Sequence, residues 1–82
     1  MQELINRLAR AIVSDDATKA DRITTHILAR VKYPSEPYQI AFQLKSALKI
    51  VRRKPHHKID HDTMWFLKTE EEKLVQCLQS GK

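Results

Sequence analysis

An 82-residue chain with a single cysteine, Cys77, has room for one hydrophobic core and no internal disulfide framework. Fifteen Lys and Arg against ten Asp and Glu leave a formal charge of +5. With 41% hydrophobic residues and one Gly, the composition fits a folded basic protein and excludes a turn-rich all-β fold. No apolar run approaches the ~20 residues that span a bilayer. The start, Met1-Gln2-Glu3-Leu4, lacks the basic and apolar regions of a secretory signal, so the expectation is a cytoplasmic protein with no membrane role.

Residues 2–13 place Leu4, Ile5, Leu8, Ala11 and Ile12 at helical spacing, with Glu3, Asn6, Arg7 and Arg10 on the opposite side. Ser14-Asp15-Asp16 breaks this first helix and caps the next through side-chain oxygens. A second stripe, Ala20, Ile23, Ile27, Leu28 and Val31, predicts a helix from Ala17 to Val31. Tyr33-Pro34-Ser35-Glu36-Pro37 marks a boundary: Pro34 pushes Tyr33 out of helical geometry, Ser35 is a good N-cap, and Pro37 is tolerated in a first turn. A third helix follows from about Glu36 to Lys49 or a little beyond, burying Ile40, Ala41, Leu44, Ala47 and Leu48.

Two readings are open after Lys49. In the first, Lys49–Lys54 is a strand, Pro55 ends it, and residues 56–62 form a polar loop. Thr63–Lys68 is then a second, aromatic-rich strand. Thr69-Glu70-Glu71-Glu72 would cap a last helix lined by Leu74, Val75, Cys77 and Leu78, with Gly81 just past its end. The predicted fold is mainly α, a winged helix-turn-helix of three helices, a short two-stranded hairpin and a C-terminal helix in one domain, residues 1–82. In the second reading Val51 continues the third helix and Met64, Leu67, Glu71, Leu74 and Leu78 share one long helix. That alternative is an all-α four-helix bundle. It places Glu71 in mid-stripe and Thr69, a strong cap, in a helix interior.

Leu44–Leu48, Ile50–Arg53, the basic stretch Lys54–His61, and Trp65-Phe66-Leu67-Lys68-Thr69-Glu70-Glu71 together resemble the winged-helix regulators of bacteria, such as the MarR-like and ArsR-like families. The resemblance spans residues 17–79 in pattern. The chain departs from it in having Leu48 almost adjacent to Ile50 and no Gly in the wing. It implies a small DNA-binding protein in transcription regulation, with the third helix as the recognition helix.

The residue chemistry is compatible with that implication. A major groove about 12 Å wide admits one α-helix. Tyr38, Phe42, Lys45, Ser46 and Lys49 lie opposite Leu44, with Gln39 and Gln43 on one flank. Gln can bond adenine bidentately, Lys can reach guanine or phosphate, and an aromatic can touch a thymine methyl. Arg52, Arg53, Lys54 and Lys58 would grip phosphates of double-stranded DNA. The same face also fits a solvated surface, and exposed Phe42 fits a protein partner or homodimer equally well. The alternative function is therefore a small helical adaptor or inhibitor of the bacteriophage accessory type, which binds and modulates another protein.

His56, His57 and His61 with Asp60, Asp62 and Cys77 lack the paired ligand spacing of a structural zinc site. Trp65 and Phe66 read as core and edge packing, and Cys77 as a small buried hydrophobe. No phosphate loop, nucleophile elbow or metalloprotease motif occurs, so the expectation is a non-enzyme without cofactors.

Overall fold

The computed structural model describes residues 2–56 and 58–80 and is all-helical over them. The helices are α1 (Gln2–Val13), α2 (Ala17–Arg30), α3 (Glu36–Arg53) and α4 (His61–Ser80). Each packs on the next and α1 closes on α4, so they form a ring around one core. The short connections make successive helices antiparallel neighbours.

The α1–α2 turn is built by the acids that mark it in the sequence. Asp16 N–H donates to Ala11 O at 2.9 Å and Asp15 N–H to Ile12 O at 3.1 Å. This is a Schellman ending in which Asp15, at φ 61°, takes the left-handed position usually held by Gly. Asp16 then caps α2, its carboxylate accepting from Lys19 N–H at 3.1 Å. Ser35 caps α3, accepting from Tyr38 N–H at 3.3 Å, with Pro37 in the first turn.

The core is the four stripes meeting: Leu8, Ile12, Ile27, Leu44, Leu48, Val51, Leu67 and Leu74 are sealed from water. Ile59, in the α3–α4 connection, plugs one end of the bundle. It is held there by its N–H, which donates to Asp15 Oδ1 at 2.7 Å and so ties that connection to the α1–α2 turn.

The winged helix-turn-helix is corrected to a four-helix bundle. Among the described residues there is no strand: residues 49–53 of the first predicted strand and all of the second, 63–68, are helical. Residues 49–53 complete α3, because Val51 extends the Leu44/Leu48 stripe into the core. Residues 63–68 belong to the first turns of α4, where Leu67 is sealed in the core. The cap of α4 is Asp60. Its Oδ1 accepts from Thr63 N–H at 2.7 Å and its carbonyl from Met64 N–H at 2.8 Å.

Thr69, expected as the N-cap, sits inside α4 and donates its hydroxyl back to Trp65 O at 2.9 Å. The acids of this stretch are accommodated within the long α4, Glu71 among them. Glu70 is buried but paired with Lys73 at 2.9 Å, and Glu71 lies half-buried at the helix flank. Burial, then the neighbouring charge of Glu72, raises the Glu71 carboxyl above its ordinary range. Helix α2 stops at Arg30, with Val31 as its C-cap. Trp65 and Phe66 also fall outside the core: Trp65 is 68% exposed and Phe66 lies at the edge. His57 of the polar stretch and Gly81, predicted beyond the last helix, lie outside the described residues.

Candidate docking surface

Helix α3 has three sides. One is sealed in the core, one is turned to α2, and the third faces outward beside α4. The side turned to α2 is organised by Asp21, whose side chain is only 6% exposed. Lys45 Nζ donates to Asp21 Oδ1 at 3.0 Å and to Thr25 Oγ1 at 2.8 Å, while the Arg52 guanidinium donates to Asp21 Oδ2. Burial alone would raise the Asp21 carboxyl. The hydrogen bonds and charges of Lys45 and Arg52 outweigh it and hold the group below the usual carboxylate range. Lys54 is likewise engaged, at 3.3 Å from Asp60.

The candidate site residues therefore separate into groups. Lys45, Arg52 and Lys54 are spent on carboxylates of the chain itself. Tyr38 is part-buried and packs edge-on against Tyr33, ring centroids 4.8 Å apart. Gln39, Phe42, Gln43, Ser46, Lys49 and Arg53 are all exposed on α3, and Lys58 is exposed in the connection to α4. Tyr33, Tyr38, Gln39, Phe42 and Gln43 line an open hollow of about 430 Å³ at the α2–α3 corner.

A second hollow, of about 210 Å³, opens between α3 and α4. Ala47, Ile50, Val51 and Phe66 form its apolar wall, and Asp62 and Thr63 its polar edge. Ile50 is 58% exposed, and Trp65 precedes Phe66 on the outer side of α4. Ile50 and Tyr33 are absent from the residues selected by sequence reasoning. Continuing the α3 wheel past Lys49 finds Ile50 on its outward flank. Trp65 falls opposite Leu67 once residues 61–80 are read as one helix.

Among the described residues, no group of three or more His, Cys, Asp or Glu side chains converges as a metal site. Cys77, expected as a buried hydrophobe, is only part-buried and donates from Sγ to Glu36 Oε1 at 3.4 Å. Burial, then the Glu36 carboxylate, raises its thiol pKa, opposite to the activation a nucleophile needs. Among the described residues no helix is long and apolar enough to cross a membrane. No protein-family model, curated protein or solved structure matches the chain.

Proposed function

We propose that the chain is a small helical adaptor that binds another protein through the outer faces of α3 and α4. The observation that carries this reading is the set of large apolar side chains, Phe42, Ile50, Trp65 and Phe66, left uncovered on a bundle whose core is closed without them. Aromatic side chains exposed near an apolar hollow and rimmed by polar residues are what protein interfaces use as anchors. Packing does not need them: a side chain as exposed as Trp65 adds little to stability and is available for contact with something outside the monomer.

A second reading, binding to duplex DNA along α3, is favoured by one observation. Gln39, Gln43, Lys49 and Arg53 are exposed on the same helix. Against it, Lys45, Arg52 and Lys54 are held by Asp21 and Asp60, which removes much of the positive surface a groove-binding helix needs.

Affinity capture from the source cells after nuclease treatment tests the two readings. The adaptor reading expects a partner retained by the native chain and lost with Trp65→Ala or Ile50→Ala, while circular dichroism shows both variants folded. Capture indifferent to both substitutions, or abolished by nuclease, refutes it.

A further inference from the structure

We infer that the outer seam between α2 and α3 is a site for a short stretch of single-stranded nucleic acid. Its bases would stack at the aromatic α2–α3 corner, and its phosphates would lie on Arg22, Lys45, Lys49 and Arg52. This goes beyond the adaptor reading and shares only Phe42 with that surface. Two independent observations meet on the seam, and the first is charge. Tyr38, Phe42, Lys45, Lys49 and Arg52 recur at spacings of three and four, so they line one flank of α3, the one turned to α2. Arg22 follows Asp21 on α2 and is exposed. Neither Arg22 nor Lys49 has an ion-pair partner among the described residues. Lys45 and Arg52 share the single carboxylate of Asp21 and keep part of their surface in water. Four cations therefore stand against one carboxylate. Asp16, the other acid at this end of the helix pair, is turned to the α2 N-terminus as its cap.

The second observation is the hollow of about 430 Å³ at the other end of the same flank. Three aromatic rings and two amides line it, and no charged residue does. Tyr33 and Phe42 are left largely open to water. Phe42 precedes Lys49 by two turns, about 10 Å along the axis. Between the two ends the α2 side of the seam is low. Thr25 bonds Lys45, and Ala29 follows one turn later, both small and exposed. The chemistry selects the occupant. Aromatic faces stack on any base, glutamine amides bond base edges, and fixed cations hold phosphates. A duplex hides its base faces inside its own stack, so the rings select a single strand. An acidic peptide would satisfy the cations and leave the tyrosines and glutamines without a complement. A bilayer surface offers phosphates but no planar rings. From Phe42 to Arg52 is about 15 Å along α3, the reach of roughly four or five nucleotides.

The test follows the anisotropy of a labelled, short, mixed-sequence oligonucleotide, made as RNA and as DNA, with the full chain. A single strand of either kind should bind about tenfold or more tighter than the same sequence annealed as a duplex. The slope of its log affinity against log salt should be about −2, for three net charges at the seam. Tyr33→Ala and Phe42→Leu should each weaken binding about tenfold, while Phe42→Trp, which restores a ring, should retain it. Lys49→Ala should reduce the slope to about −1.4. These side chains are exposed, so circular dichroism should be unchanged in every variant. Equal affinity for single strand and duplex, binding of neither, or indifference to Phe42→Leu overturns the proposal. Displacement of the strand by polyglutamate, or by vesicles of anionic phospholipid, at matched charge overturns it in favour of an acidic peptide or a membrane. The two proposals fail separately. Nuclease-resistant capture that depends on Trp65, with no oligonucleotide bound, leaves the adaptor standing and removes the nucleic-acid site.

Discussion

Asp21→Asn is the most direct probe of how α2 and α3 are joined. The native carboxylate is almost fully covered and accepts charge-assisted hydrogen bonds from Lys45 and Arg52. The amide keeps the shape, retains one acceptor oxygen, and turns an NH2 group toward the other cation. Stripping one partner from a fully buried ion pair costs about 3–5 kcal/mol. Here Lys45 and Arg52 remain 33% and 44% exposed and can rehydrate, which lowers the expected loss to about 1.5–3 kcal/mol. In a domain this small that is a fall in Tm on the order of 10 °C. Urea unfolding followed by far-UV circular dichroism measures it. The pH dependence has a defined sign. Because the folded pKa lies below the unfolded one, the stabilisation is complete above the unfolded value of about 3.9. It is lost as pH falls through the lower folded value, so the gap between native and variant narrows in acid. A loss below about 0.5 kcal/mol at neutral pH would refute the reasoning and show that both cations prefer water to Asp21.

Leu67→Ala removes a sealed side chain from α4 and should cost about 2–5 kcal/mol in the same unfolding assay. Asp60→Ala should lower Tm and speed hydrogen exchange at the Thr63 amide, by removing the acceptor that caps α4. The Asp60 carboxyl is held at about 2 by hydrogen bonds from the Thr63 side chain and N–H and by Lys54. In native protein, protection of Thr63 should therefore be complete above about pH 4 and decline only toward pH 2.

What the sequence makes legible here depends on range. Helices α1 and α2, the buried face of α3, and the caps at Asp16 and Ser35 follow from spacing and from oxygens within three residues of the N–H they accept. The start of α4 follows the same rule but is obscured by stronger-looking signals. Met64-Trp65-Phe66 reads as a strand because aromatic β-propensity describes a half-buried surface more than a backbone preference. Asp60, three residues before Thr63, is the deciding signal. Ile50-Val51 misleads similarly, since both are β-branched while Val51 sits on the helical stripe. The candidate surface is less legible still. Whether a cation on α3 is free depends on Asp21, which lies 24 and 31 residues from Lys45 and Arg52. No local pattern reveals that.

The same distinction between engaged and free cations bears on duplex DNA quantitatively. Counted from sequence, Lys45, Lys49, Arg52, Arg53, Lys54 and Lys58 could each meet a phosphate, and six such contacts would give a slope of log affinity against log salt of about −5.4. With Lys45, Arg52 and Lys54 held by Asp21 and Asp60, Lys49, Arg53 and Lys58 remain, and the slope contracts to about −2.7. Asp21→Asn releases Lys45 and Arg52 without adding a cation, so it should steepen the slope by up to about 1.8 while lowering stability. Fluorescence anisotropy of a labelled mixed-sequence duplex across a salt series reads both values, with circular dichroism confirming that the variant is folded at the assay temperature. A native slope near −5 would mean that the Asp21 and Asp60 pairs open to serve phosphate. The bundle would then be a DNA-binding surface held closed by its own carboxylates, and the argument from engaged cations to a protein partner would fail at its first step.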